Sequence, residues 1–226
     1  VSEASPRLFG AVLAGGRSRR YGSDKALAEL GGLTLSERAV RAVRPVARRV
    51  GIIANDGSNP VEGVPVRPDL VRGAGPLGGI LTALEWAGEE GLEGAIVLAT
   101  DMPFVPSGLL RELAAAMLDE SAAVVPASPG PRGLEPLCAV YGMRCLTPVR
   151  SALERGERAV VAFFPEVRVT VLDPDRVSAF GDPEDLFFNV NRPVDHERAL
   201  ELMNRPAGAG PDGPLASDVH RNRTKE

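Results

Sequence analysis

Short apolar runs alternate with helix-period segments along most of the chain, and that alternation restricts the fold more than any other feature. Residues 8–13 (LFGAVL) contain no polar side chain, the pattern of a strand buried on both faces. In 35–43, Leu35, Ala39, Val40 and Val43 share one helical face. A second strand is predicted over 49–54, a short third over 63–67 and a helix over 77–87. Residues 95–99 form a strand ending at Thr100 and Asp101, and Ser107 is placed to cap a helix running to about residue 118. Further strands fall at 122–125, 137–141 and 167–172, and a closing helix at 194–203.

Strands that alternate with helices build parallel βαβ units. The expected fold class is therefore α/β, a three-layer sandwich with a mostly parallel, Rossmann-like sheet. Ligands in such sheets sit beyond the carboxyl ends of the strands, at the switch in strand order. The loops after Leu13 and at Thr100–Asp101 leave strand ends with suitable chemistry. No internal repeat is visible, and one domain is expected over 1–203. Residues 204–226 pass through Arg-Pro-Ala-Gly-Ala-Gly-Pro-Asp-Gly-Pro to a polar end and are expected to be a disordered tail.

Composition removes several function classes. Only two histidines occur, His196 and His220, so HExxH and histidine-based triads are excluded, and there is no GxSxG. Cys138 and Cys145 are too few and too far apart for a zinc ribbon or a redox pair. A net charge of −4 argues against a sequence-independent grip on nucleic acid. No apolar run approaches the ~18 residues of a membrane span. The polar stretch 1–6 lacks the apolar core of a signal peptide, so a cytoplasmic setting is expected, with no membrane partner.

After the first strand the chain reads Leu13-Ala-Gly-Gly-Arg-Ser-Arg-Arg-Tyr-Gly-Ser-Asp-Lys25. This is neither GxGxxG nor a Walker A loop. Its logic is still that of a phosphate cradle. Gly15, Gly16 and Gly22 let backbone N–H groups approach an anion, and Arg17, Arg19, Arg20 and Lys25 supply charge. Of 26 basic residues, 24 are arginine, and Lys25 is the only lysine before Lys225. Lysine offers a compact, movable charge where arginine offers a planar fork. The competing reading is a solvated surface loop.

The LAGGxSxRxGxDK pattern resembles the signature of the molybdenum cofactor guanylyltransferase family, within the nucleotidyltransferases of glycosyltransferase-A-like fold. Gly15, Gly16, Ser18, Arg20, Gly22, Asp24 and Lys25 fit it, while Tyr21 stands where methionine is commoner. The likeness continues in order. Asn55 follows the second strand, and Arg67-Pro-Asp69 precedes Gly75-Pro-Leu-Gly-Gly79. Thr100-Asp-Met-Pro103 and Glu135-Pro-Leu-Cys138 come next, then Phe188-Asn-Val-Asn-Arg-Pro-Val-Asp195, with Arg192 in place of threonine. The resemblance covers roughly residues 8 to 202.

It implies transfer of GMP from GTP to the phosphate of molybdopterin or the molybdenum cofactor, with Mg²⁺ as cofactor and other cofactor-assembly proteins as potential partners. The N-terminal half would bind nucleotide and the C-terminal half the acceptor. GTP would be bound by Leu13, Ala14, Gly15, Gly16, Lys25, Asn55, Asp69, Gly78 and Asp101. Lys25, Arg20 and Asp101 would be catalytic, Asp101 would hold the metal, and Asn189 and Asn191 would contact the acceptor.

Each assignment has a plainer rival. Asp101 at a strand end also suits a helix cap, Asn55-Asp56-Gly57 suits an Asx turn, and Gly75–Gly79 suits a helix start. Asn189 and Asn191 suit a turn, and Cys138 a small buried core residue. The alternatives in function are a cytidylyltransferase, a sugar-phosphate nucleotidyltransferase of the same fold, or a catalytically silent nucleotide-binding assembly partner.

Overall fold

The computed structural model describes residues 6–14, 29–55, 61–117 and 121–205. One seven-stranded sheet organises them. Its strands are β1 (Leu8–Leu13), β4 (Arg49–Ile53), β5 (Val66–Arg67), β6 (Gly94–Ala99), β7 (Ala123–Pro126), β8 (Cys138–Gly142) and β9 (Val169–Leu172), in the order β5-β4-β1-β6-β8-β7-β9. A separate hairpin joins β2 (Glu29–Leu30) to β3 (Leu33–Thr34). The chain runs outward from β1 to β4 and β5, then returns to place β6 on the other side of β1. The switch in strand order therefore lies between β1 and β6.

All six residues of β1 and all six of β6 are buried, as strands covered on both faces must be. One layer contains α1 (Leu35–Val43) and α3 (Ser107–Ala115). The other contains α2 (Pro76–Glu89) and α4 (Leu146–Glu154), and each layer has its own apolar core against the sheet. The short helices α5 (Pro174–Ser178) and α6 (Pro183–Leu186) and then α7 (Pro193–Asn204) are the last helices among the described residues. The α/β, three-layer, mostly parallel arrangement is the expected one. The exception is β8, which runs antiparallel to both neighbours.

Helix α1 begins where its sequence asks it to. Thr34 Oγ1 accepts from Glu37 N–H at 3.1 Å, and the Glu37 carboxylate accepts from Thr34 N–H at 2.8 Å, a closed capping box. Other boundaries move. Pro106, not Ser107, precedes the first turn of α3, because its extended ψ of 155° already turns the chain, and Ser107 makes no side-chain cap bond. That helix stops at Ala115, short of the expected residue 118. The third strand shrinks to Val66–Arg67 because residues 61–64 form a turn, closed by Val64 N–H to Val61 O at 3.3 Å. At the far end α7 takes in Asn204, one residue beyond the expected end of the closing helix, and Arg205 pairs with Asp185 at 3.2 Å. The rest of the expected tail, 206–226, lies outside the described residues. Among the described residues no helix is long and apolar enough to cross a membrane.

Candidate active site

The carboxyl ends of β5, β4, β1 and β6 meet the amino end of β8 at one edge of the sheet. Because β8 runs against its neighbours, Glu135 arrives at the same edge from which Leu13, Asn55 and Asp101 depart. Backbone bonds lace these ends together. Ala14 N–H donates to Ile53 O at 3.0 Å, Ala54 to Arg67 O at 3.0 Å, Thr100 to Leu13 O at 3.1 Å, and Ala99 to Leu137 O at 3.0 Å. Leu13 and Ala14 are thus held at the switch point. The expected Gly15, Gly16, Arg20 and Lys25 lie outside the described residues.

Asn55 does not spend its amide on a local turn. Its Nδ2 donates to Asp69 Oδ2 at 2.6 Å, and its Oδ1 accepts from Asp69 N–H at 2.9 Å. Two residues fourteen positions apart become one polar unit. Burial pushes the Asp69 carboxyl above its ordinary value, and the Asn55 bond pulls it partly back. The loop that follows is pinned to α2 through Thr82, whose Oγ1 accepts from Leu70 N–H at 3.0 Å and donates to Gly78 O at 2.9 Å.

The two glycines of this helix start have different jobs. A methyl group on Gly78 would come within 2.7 Å of Ala74 Cβ, so Gly78 serves close packing of the loop. A methyl on Gly79 would lie 3.1 Å from Leu13 Cδ2 and 3.7 Å from Asp69 Oδ1. Gly79, quoted in the Gly75–Gly79 stretch but not among the expected GTP-binding residues, is the glycine that keeps the space between Leu13 and Asp69 clear.

Asp101 follows β6 beside buried Thr100, and its Oδ1 atom is buried. Its backbone carbonyl accepts from Val190 N–H at 2.8 Å, which brings the Asn-rich segment to the site. Val190 is buried between exposed Asn189 and Asn191, and Asn189 Nδ2 donates to Phe187 O at 2.9 Å. Beyond them, Arg192 precedes α7. An arginine has no acceptor to cap a helix, so the Asp195 carboxylate reaches back and accepts from Asn191 N–H at 3.0 Å and Arg192 N–H at 2.8 Å. Burial pushes Asp195 up, yet those bonds and the Arg192 side chain hold its carboxyl below the ordinary value.

Glu135 is the acidic residue that sequence reasoning quoted but gave no role. Its Oε1 accepts from Leu137 N–H at 3.3 Å, and the adjoining Pro136 carbonyl accepts from the buried Tyr141 hydroxyl at 2.7 Å. Burial pushes the Glu135 carboxyl up. The Leu137 N–H opposes this, the charge of Asp101 adds to it, and Arg132 also opposes it. Beside Glu135 opens a cleft of about 580 Å³, with Pro76, Arg132 and Arg158 among its lining residues.

A divalent cation fits this donor chemistry. Among the described residues no three His, Cys, Asp or Glu side chains gather as a metal cage. Magnesium needs none, since it binds through one or two carboxylates and fills its octahedron with waters and substrate phosphates. Asp101, with the Glu135 carboxylate inside its field, offers hard oxygen donors of that kind. Cys138 and Cys145 are buried with their thiols pushed up, and belong to the core.

Residues 10–169 match the family described as the MobA-like NTP transferase domain, a span that takes in Leu13, Asn55, Asp69, Asp101 and Glu135. The chain belongs to that family. A probable molybdenum cofactor guanylyltransferase from Pelotomaculum thermopropionicum is 38% identical over 192 residues, covering 84% of this chain and 90% of the relative. The molybdenum cofactor guanylyltransferase of Rhodobacter capsulatus is 34% identical over 204 residues, covering 89% and 99%. The molybdopterin-guanine dinucleotide biosynthesis protein A from Archaeoglobus fulgidus has the same fold, with a TM-score of 0.70 at 27% identity over 87% of this chain and 98% of its own. The matched span includes the strand-order switch between β1 and β6 and the polar groups that flank it.

Proposed function

We propose that the protein is a guanylyltransferase, moving GMP from GTP to the phosphate of molybdopterin or its molybdenum-loaded form. The observation that carries this reading is the Asn55–Asp69 unit beyond the carboxyl ends of β4 and β5, with Gly79 between Asp69 and Leu13 leaving room beside it. A carboxylate accepts from both N1–H and N2–H₂ of guanine, and adenine offers no such pair. A wrong base leaves a buried acceptor unpaired, at about 1–3 kcal/mol.

The chemistry asks little of the protein beyond alignment and charge. An oxygen of the acceptor phosphate attacks the α-phosphorus of GTP, and the bond from that phosphorus to the bridging oxygen breaks. Pyrophosphate leaves with the electron pair. The acceptor oxygen is already anionic at neutral pH, so no strong general base is needed, in keeping with a chain that has only two histidines. Asp101 would hold Mg²⁺, which neutralises phosphate charge when bound. Lys25 and Arg20 stabilise the leaving pyrophosphate. The acceptor lies toward β8, with Arg132 and Arg158 on one side and Asn189 and Asn191 on the other. GTP and molybdopterin are the small-molecule partners in this reading, and a GTP-dependent reaction fits a cytoplasmic setting.

Thermal shift with GTP, CTP, ATP and UTP, each with Mg²⁺, tests the assignment. A ligand at 100 times its Kd adds about 2.7 kcal/mol, roughly 5–11 °C for a chain of this length. A shift led by GTP is expected. A shift led by CTP would replace guanylyl with cytidylyl transfer.

A further inference from the structure

Asp69 and Glu135 flank Asp101 along the sheet edge. Asp69 lies beyond β5, on the nucleotide side, and Glu135 precedes β8, on the far side of β6. Leu98 pairs with Cys138, so Asp101 and Glu135 each lie three residues past one register position. Glu135 is anchored at every point. Its N–H donates to Pro126 O at 3.1 Å, and its carbonyl accepts from Cys138 N–H at 3.2 Å. Its Oε1 accepts from Leu137 N–H, and the Tyr141 hydroxyl fixes the next carbonyl, that of Pro136. An ionised carboxylate has about four lone-pair sites, and this one N–H uses only one of them.

The same carboxyl lines the cleft of about 580 Å³. Small-molecule sites fall in the range of about 300–1,000 Å³, and they combine apolar walls with a few placed polar groups. Here Pro76, Leu134, Leu137 and Val160 supply apolar wall, and Arg132 and Arg158 supply positive charge. Guanidinium groups stack on ring faces as well as pairing with anions. One carboxylate, two arginines and apolar walls suit a flat ring that carries N–H donors and an attached anion.

We propose that Glu135 recognises the pterin ring of the acceptor, through the donor edge of its 2-amino-4-oxo pyrimidine. That edge presents a ring N–H beside an amino group, the same pair that guanine offers. Asp69 and Glu135 then read equivalent edges of the two substrates from opposite sides of Asp101. The proposal rests on the molybdopterin acceptor of the guanylyltransferase reading, and it deepens that reading by naming the acceptor's specificity residue.

Isothermal titration of the full chain with Mg²⁺ uses a 6-alkyl pterin phosphate and the matching lumazine phosphate, in which an oxo group replaces the 2-amino group. Wild type should hold the pterin at least about tenfold tighter, the worth of one hydrogen bond to a charged group. Glu135→Gln keeps an acceptor for Leu137 N–H, but offers the ring one acceptor and one donor. Its amide N–H meets the lumazine oxo group, so the preference should fall to parity or invert, while GTP affinity stays within about twofold. Arg158→Ala should weaken both phosphates alike and leave the preference intact. Equal affinities in wild type, or a Glu135→Gln chain that keeps the wild-type preference, with GTP bound normally, would overturn the role of Glu135 alone. A Glu135→Gln chain that needs more Mg²⁺ to bind GTP would make Glu135 a metal ligand and overturn it too. GTP bound with neither phosphate held would overturn the molybdopterin acceptor and this inference with it. A thermal shift led by CTP beside an intact pterin preference would change the nucleotide and leave this inference standing.

Discussion

Asn55 and Asp69 are locked by a reciprocal pair of hydrogen bonds, so the carboxylate proposed to read the base is already oriented by its neighbour. The arrangement limits the entropy that ordering Asp69 would cost on binding. It also makes Asn55 act largely through its neighbour, so Asn55→Ala should cost base discrimination. GTP should weaken relative to ATP by about five- to tenfold, the worth of one or two lost contacts, read by competitive binding. Unchanged discrimination would place base recognition elsewhere.

The same pair sets a pH limb. Asp69 must be ionised to accept from guanine, and ionisation is lost as pH falls through its folded-state pKa. Burial has raised that pKa above 3.8, so guanosine affinity should decline at higher pH than for an exposed aspartate. Removing Asn55 takes away the bond that favours the charged form, and the limb in Asn55→Ala should move further up. For stability the sign is reversed. A carboxyl with a raised folded pKa weakens the fold as pH rises from the unfolded value through the folded one, so Asp69→Asn should gain Tm relative to wild type at pH 7 and lose that gain near pH 4. Titrations and melts between pH 4 and 7 read both.

Gly79 tests the shape of the nucleotide space. Gly79→Val fills the gap between Leu13 and Asp69 and should weaken GTP, while GTP-free stability falls by about 1–3 kcal/mol from overpacking. Gly79→Ala should be milder, because Leu13 needs to yield only a few tenths of an ångström. A valine variant that binds GTP as wild type does would remove this space from the site.

Tyr141 supports the Glu135 turn from inside the core. Tyr141→Phe deletes the bond to Pro136 O and should cost about 0.5–1.5 kcal/mol, with Tm falling roughly 2–4 °C per kcal/mol. Differential scanning calorimetry checks this, and an unchanged Tm would mean that the carbonyl finds another donor.

Much of the fold was legible because buried strands and amphipathic helices write their period into the chain, as in Leu8–Leu13 and Leu35–Val43. Direction was not legible. Cys138–Gly142 has the same apolar run whether it pairs parallel or antiparallel, and only the structure shows that its reversal delivers Glu135 to the site. The Asn55–Asp69 pairing was equally hidden, since each residue also suits a local turn and nothing in the intervening sequence marks their contact.

Guanylyl transfer is tested most directly by product formation from the purified chain given molybdopterin, Mg²⁺ and each nucleoside triphosphate in turn. Pyrophosphate release is expected only when acceptor and GTP are both present, with the guanine dinucleotide as product. Asp101→Ala or Lys25→Ala should lower the rate by about 10²–10³. Pyrophosphate formed equally well from CTP, or a Lys25→Ala and an Asp101→Ala enzyme that both keep near-full activity, would contradict it.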